Sequence, residues 1–246
     1  MTRGAQGDLI WGIHAVEEAL SLPESLQECL VDAGAGKGAR AVARKAEALG
    51  VACRVLPSQA FRELARGRPF QGVAARVAPF KYADPDELIV SVVSERGVVL
   101  ALDQVQDPQN LGSVLRTAAF FGVKGVFLPK DRSAPVSPAV VRASAGGAFR
   151  VPVARVVNMA RLVRGGRDAG LFAIAAVAQG GKDVRDIRLP DAGVLLVMGS
   201  EAEGVRRLVR ESCDALVTIP SPGGFESLNV GVATGILLHV LTRQAP

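Results

Sequence analysis

From residue 97 onward the chain alternates short, unbroken apolar runs with stretches whose apolar residues recur every three or four positions. The runs GVVLALD (97–103), GVFLP (125–129), LFAIAAV (171–177), GVLLVMG (193–199) and ALVTIP (215–220) have the length and continuity of strands buried on both faces. Between them, LGSVLRTAAFFG (111–122), PAVVRASAGGA (138–148) and NVGVATGILLHVL (229–241) have helical spacing, and a further helix is expected from Val205. Gly122 ends the first of these, and Gly146 with Gly147 weakens the second. Apolar strands alternating with helices predict an α/β fold with a parallel sheet covered on both faces.

The first 77 residues read as a smaller α/β unit. A short apolar start (Leu9 to Trp11) leads into a helical GIHAVEEALS. LQECLVD and VACRVL read as strands, GARAVARKAEALG as an Ala-rich helix stopped by Gly50, and Pro57 opens a helix through Ala65. Gly72 to Val77 is a strand-like run. APFKYADPDEL (78–88), with two prolines and the only tyrosine, Tyr82, then breaks the pattern and precedes a helix-like run. The expected organisation is a domain at 1–78, a linker at 79–96 and a second domain at 97–246.

Composition narrows the class without naming a chemistry. Apolar residues make up 49% and charged residues 22% of 246, as in ordinary globular proteins, so global disorder is excluded. Met1 to Asp8 is polar and lacks the apolar core of a secretory signal, and no apolar run reaches membrane-spanning length. A cytoplasmic location without membrane attachment is expected. Cys29, Cys53 and Cys213 are scattered and the only histidines are His14 and His239, so neither a metal site nor a disulfide framework is expected. The net charge of +5 is modest, but residues 124–188 hold twelve Lys/Arg against four Asp/Glu. Such concentration suits a polyanion partner, and a solvated basic face accounts for it equally well.

Ligands of parallel α/β sheets bind beyond the carboxyl ends of the strands, and three polar, glycine-rich segments fall there. LDQVQDPQNLGSVLRTA (102–118) contains an Asp107-Pro108 turn, with Asn110 expected to cap the next helix and Arg116 on its second turn. VMGSEAEGVRRL (197–208) has glycines that permit close backbone approach, but it is neither GxGxxG nor a P-loop. Its Glu201 and Glu203 would repel phosphates and suit a cation, or simply favour a helix N-terminus. IPSPGGFESLNVGVATGILLHVL (219–241) bends through Pro220, Pro222, Gly223 and Gly224, with Ser227 or Asn229 as N-cap.

Taken together and in this order, these segments resemble the three motifs of the SpoU (TrmH-like) branch of the SPOUT RNA methyltransferases. Asn110 with RTA (116–118) resembles the first motif, MGSEAEG (198–204) the second, and IPSPGGFESLNVGVATGIL (219–237) the third. GIHAVEEAL (12–20), FQGVAARV (70–77) and PKDRSAPVSP (129–138) resemble the subgroup that methylates guanosine 2′-oxygens of 23S rRNA. The resemblance implies a parallel-sheet α/β domain with a deep trefoil knot that binds S-adenosyl-L-methionine, preceded by an L30e-like RNA-holding domain, in a homodimer. Carried over by position, it implies catalytic and supporting roles for Asn110, Arg116, Glu201, Ser227 and Asn229, and cofactor contacts for Gly199, Ile219 and Leu228. It implies no metal, and as substrate 23S rRNA or a large-subunit precursor, at a guanosine in the peptidyl-transferase P-site hairpin. Phe70 stands where the subgroup usually has His, and Phe225 and Gly231 also depart from the commonest third motif.

The implied reaction is in-line attack of a ribose 2′-oxygen on a sulfonium methyl. Arginine stays protonated far above neutral pH, so Arg116 is expected to stabilise a developing alkoxide before it acts as a base. A tRNA 2′-O-methyltransferase of the same branch, or a non-catalytic RNA-binding assembly protein, are the alternatives.

Overall fold

The computed structural model describes residues 9–21, 23–67 and 70–244. Met1 to Asp8, on which the reading of the N-terminus rests, lies outside them. The chain divides into two compact units, 1–81 and 82–246.

The first unit runs β1 (Leu9–Trp11), α1 (Ile13–Ala19), β2 (Leu26–Asp32), α2 (Lys37–Ala48), β3 (Cys53–Leu56), α3 (Ser58–Ala65) and β4 (Val73–Val77). Its sheet has the order β1-β4-β2-β3, with β4 antiparallel to both neighbours and β3 parallel to β2. Alternation along the strands divides the core. Cys29, Val31, Val73 and Ala75 pack with Val42 and Ala46 of α2 on one face. Leu30, Phe61 and Ala74 close the other. Each expected element is present, displaced by a residue or two at its ends.

The second unit contains α4 (Pro85–Glu95), β5 (Val98–Asp103), α5 (Pro108–Phe120), β6 (Gly125–Pro129), α6 (Pro138–Ala143), β7 (Val153–Val156), α7 (Met159–Asp168), β8 (Phe172–Ala176), β9 (Lys182–Asp183), β10 (Val194–Gly199), α8 (Arg207–Arg210), β11 (Ala215–Thr218) and α9 (Val230–Leu241). The strands form one seven-stranded parallel sheet of order β7-β6-β5-β10-β8-β11-β9. Every residue of β5 is buried, as a central strand covered on both faces requires.

Several local expectations change. The stretch 79–96, expected as a linker, holds α4, capped by Asp84, which accepts from the amides of Asp86 and Glu87. Leu88 and Val92 of α4 enter the main core. Helix α5 starts three residues earlier than predicted, because Pro108 occupies its first position and Asp107 is the cap, accepting from Gln109 N at 3.0 Å. Asn110 therefore lies in the first turn and is not the cap. Helix α6 stops at Ala143, where Ala145 and Gly146 turn the backbone left-handed, φ 47° and 83°. The helix expected from Val205 is the short α8, which begins at Arg207. Strand β7 and helix α7 carried no expectation at all.

Candidate active site at the strand ends

The central strands β5 and β10 end in register, with Gly199 paired to Asp103. Asp103 is fully buried, yet its carboxylate is satisfied by one residue. Arg206 donates to it from Nη2 at 2.6 Å, from Nε at 2.9 and 3.1 Å, and from its backbone N at 3.0 Å. Asp103 raises the Arg206 pKa, chiefly by hydrogen bonding, against the opposing pull of partial burial. The pair fixes the far end of the loop that follows β10. The loop's near end is fixed by contact: a Cβ on Gly199 would lie 2.0 Å from the carbonyl carbon of Gly204. Gly204 itself donates to Ser200 O at 2.9 Å and has a φ of 66°.

Pinned at both ends, this loop projects Glu201 toward the start of α9. One carboxylate oxygen, Oε1, accepts from Asn229 Nδ2 at 2.6 Å, Asn110 Nδ2 at 3.2 Å and Val230 N at 3.2 Å. Asn229 also donates to Asn110 Oδ1 at 2.9 Å, while its own Oδ1 caps α9 at Gly231 N and Val232 N. Glu201 and Asn229 thus satisfy the free amides that open α9, and the helix dipole favours the carboxylate there. The helix-terminus reading of Glu201 holds, but the helix is α9, not the one that follows Glu201 in sequence. Asn110, Glu201 and Asn229 meet at one point, although 91 and 119 residues separate Asn110 from the other two.

Beside this junction lies a cavity of about 860 Å³ at the ends of β8, β10 and β11. Gly199, Ile219 and Leu228 line it, as do Glu201 and Ser227. Glu203 and Glu226 add carboxylates, and Arg210 is the only basic side chain in the lining. A volume of this size accepts a nucleoside-sized ligand. The acidic bias suits a cationic one. These features fit S-adenosylmethionine, with its sulfonium and ammonium charges. Among the described residues no group of three or more metal-ligating side chains exists.

Arg116 is the exception among the eight expected residues. It is exposed and faces a separate groove of about 610 Å³ with Phe120, Ser144 and Arg150, away from Glu201. Six residues along an α-helix turn through about 240° from Asn110, so the two side chains leave α5 on different sides. Sequence reading missed Arg206. Only the adjacent pair Arg206-Arg207 after the loop hints at a partner for Asp103.

The SpoU rRNA Methylase family matches residues 97–239, more than half of the chain. The chain belongs to the SpoU rRNA methylase family. Residues 9–83 match a second family, the substrate-binding domain of RNA 2′-O ribose methyltransferases. The 23S rRNA (guanosine-2′-O-)-methyltransferase RlmB of Xanthomonas axonopodis pv. citri is 42% identical over 97% of each chain. An uncharacterized tRNA/rRNA methyltransferase of Mycolicibacterium vanbaalenii is also 42% identical, over 79% of this chain and 62% of its own length. The SpoU methyltransferase AviRb of Streptomyces viridochromogenes, solved with the cofactor AdoMet, superposes with a TM-score of 0.70 at 26% identity, covering 99% of this chain and 94% of its own. As a SpoU family member the chain is a methyltransferase that uses S-adenosylmethionine.

Proposed function

We propose that this SpoU methyltransferase transfers the methyl group of S-adenosylmethionine to a ribose 2′-hydroxyl of 23S rRNA, at a guanosine. The carrying observation is the junction of Asn110, Glu201 and Asn229, whose Glu201 lines the acidic cavity beside Gly199. The near full-length likeness to the Xanthomonas RlmB supports the choice of rRNA over tRNA. S-adenosylmethionine supplies an electrophilic sulfonium methyl, which an oxygen attacks in line. Holding two reactants in that geometry is worth roughly 7–11 kcal/mol.

The chain's own contributions are separable. Gly199, Ile219 and Leu228 hold the cofactor. Glu201, fixed by its three donors, offers its carboxylate charge to the cationic end of the ligand and keeps Asn229 and Asn110 in place. Ser227 stands in the same lining and orients a polar group of substrate or cofactor. Arg116 stabilises charge on the attacking oxygen with its guanidinium. Its position in the second groove means that another element closes the distance to the cofactor cavity. A homodimer through the α5/α9 pair supplies one. Val232 and Ile236 are exposed apolar residues of α9, which packs closely on α5 at Ser113–Gly231. The deep trefoil knot, an RNA-holding role for residues 1–78 and a cytoplasmic setting belong to the same reading. Among the described residues no helix is long and apolar enough to cross a membrane.

The test is a mass-spectrometric map of 2′-O-methylated nucleotides in 23S rRNA from a deletion strain. Loss of one 2′-O-methylguanosine, restored by the wild-type protein and not by Arg116→Ala, is expected. An unchanged rRNA map with a lost tRNA modification would move the substrate to tRNA.

A further inference from the structure

Arg116 shares its groove with a second arginine whose placement the fold secures with unusual care. After α6 the backbone reverses through Ala145 and Gly146, both left-handed. Ala145 carries a side chain into a conformation that L-residues rarely adopt, so the turn is held against local preference. Buried Ser144 clamps it, donating to Val141 O at 2.8 Å and accepting from Ala148 N at 3.2 Å. The returning segment then lies directly on α5. A Cβ at Gly112 would sit 2.4 Å from that of Ala143, and one at Gly147 would sit 2.9 Å from the Cα of Arg116. Only glycine permits either approach. The result is that Arg150, three residues after Gly147, lines the same groove as Arg116.

Both guanidinium groups are exposed, and neither has a carboxylate within ion-pair distance among the described residues. Among the other basic residues of 124–188, Lys124, Arg167 and Arg185 pair with Glu95, Asp214 and Asp183 respectively, and the rest have no carboxylate within ion-pair distance among the described residues. Two like charges in one groove repel unless an anion lies between them. Phe120, 83% exposed at the groove's edge, adds an aromatic face in edge-on contact with Phe121. Guanidinium forks with an exposed aromatic ring form the chemistry that recognises a single-stranded RNA backbone with an unstacked base.

We propose that Arg150 and Arg116 together bind a phosphodiester of the RNA strand, with Arg150 serving substrate capture and Arg116 the reacting ribose. Arg150 is therefore a substrate-binding residue for the RNA methyltransfer reaction, and the inference rests on that reading of the function. The test compares full-length wild type, Arg150→Ala and Arg150→Lys. Binding to 23S rRNA transcribed in vitro is measured by filter retention across a series of KCl concentrations, beside calorimetric S-adenosylmethionine binding. For Arg150→Ala the salt slope falls by about one and RNA affinity at moderate salt drops about three- to tenfold. Cofactor affinity stays at the wild-type value, and kcat/KM falls mainly through KM. Arg150→Lys restores the slope but not the whole affinity, because lysine lacks the planar fork. An unchanged slope in Arg150→Ala overturns the proposal. So does a change in sedimentation behaviour with RNA binding intact, which would make the groove a contact between copies. A wild-type protein that binds this RNA without methylating it counts against the rRNA reading alone, because the Arg150 comparison needs only binding.

Discussion

Removing Arg206 should cost more than neutralising its partner Asp103, although the two form one ion pair. The reason is the asymmetry of burial: the Asp103 side chain is 0% exposed and that of Arg206 is 42% exposed. Arg206→Ala leaves a carboxylate sealed at the end of β5 with one backbone donor remaining. Breaking a fully buried pair from one side costs roughly 3–5 kcal/mol, and partial access of water brings the expectation here to about 2–4 kcal/mol. Asp103→Asn removes the charge but keeps an acceptor of the same shape, and the freed guanidinium can reach water. The expected loss is about 1–2 kcal/mol. Both are large beside a total stability of about 5–15 kcal/mol. Urea unfolding followed by circular dichroism measures the two losses, with equal m-values confirming that only stability has changed. Because Arg206 also anchors the loop bearing Glu201, Arg206→Ala should weaken S-adenosylmethionine binding in calorimetry as well. An Arg206→Ala protein within about 0.5 kcal/mol of wild type, the range of ordinary surface substitutions, would refute the reasoning. A larger loss for Asp103→Asn would refute it equally.

Gly199→Ala forces a methyl against the Gly204 backbone, so the loop must shift; a stability loss of about 1–3 kcal/mol with at least tenfold weaker cofactor binding is expected from melts and calorimetry. Glu201→Gln keeps the shape and loses the charge, so it should destabilise by only about 1 kcal/mol while lowering S-adenosylmethionine affinity by about tenfold; retained affinity would remove Glu201 from the cofactor's surroundings. Burial pushes the Cys29 and Cys213 thiols from an ordinary 9.0 up to about 12. The native state then holds protons that the unfolded chain releases, so this contribution to stability is complete below pH 9 and is lost as the pH rises toward 12. Denaturant melts between pH 8 and 11 should show the fall, and Cys213→Ala should flatten it.

The strands were legible because a strand buried on both faces is an unbroken apolar run, and β6 matches its predicted bounds to the residue. The errors have local causes. Asp107-Pro108 has the composition of a turn, yet proline at the first helical position and aspartate as cap begin α5 equally well. The segment 151–168 escaped because Arg155 interrupts VPVARVV and two adjacent glycines dilute MARLVRGGRD, so neither period dominates. Of the site, the three loops were legible as polar, glycine-rich exceptions at strand ends. Their internal wiring was not, since Asp103 and Arg206 lie 103 residues apart and meet only because β5 and β10 are neighbours. The separation of Arg116 from Asn110 was available in principle from helical rotation alone, but only once the start of α5 was known.

The central claim is that the cavity beside Gly199 and the groove of Arg116 serve one methyl transfer to a ribose. The most direct measurement is transfer of a radiolabelled methyl group from S-adenosylmethionine to 23S rRNA by purified protein, followed by nucleoside analysis. Label recovered in a single 2′-O-methylguanosine, with the label lost in Arg116→Ala while that variant still binds cofactor, is the predicted result. Label on a base, or full transfer by Arg116→Ala, would contradict it.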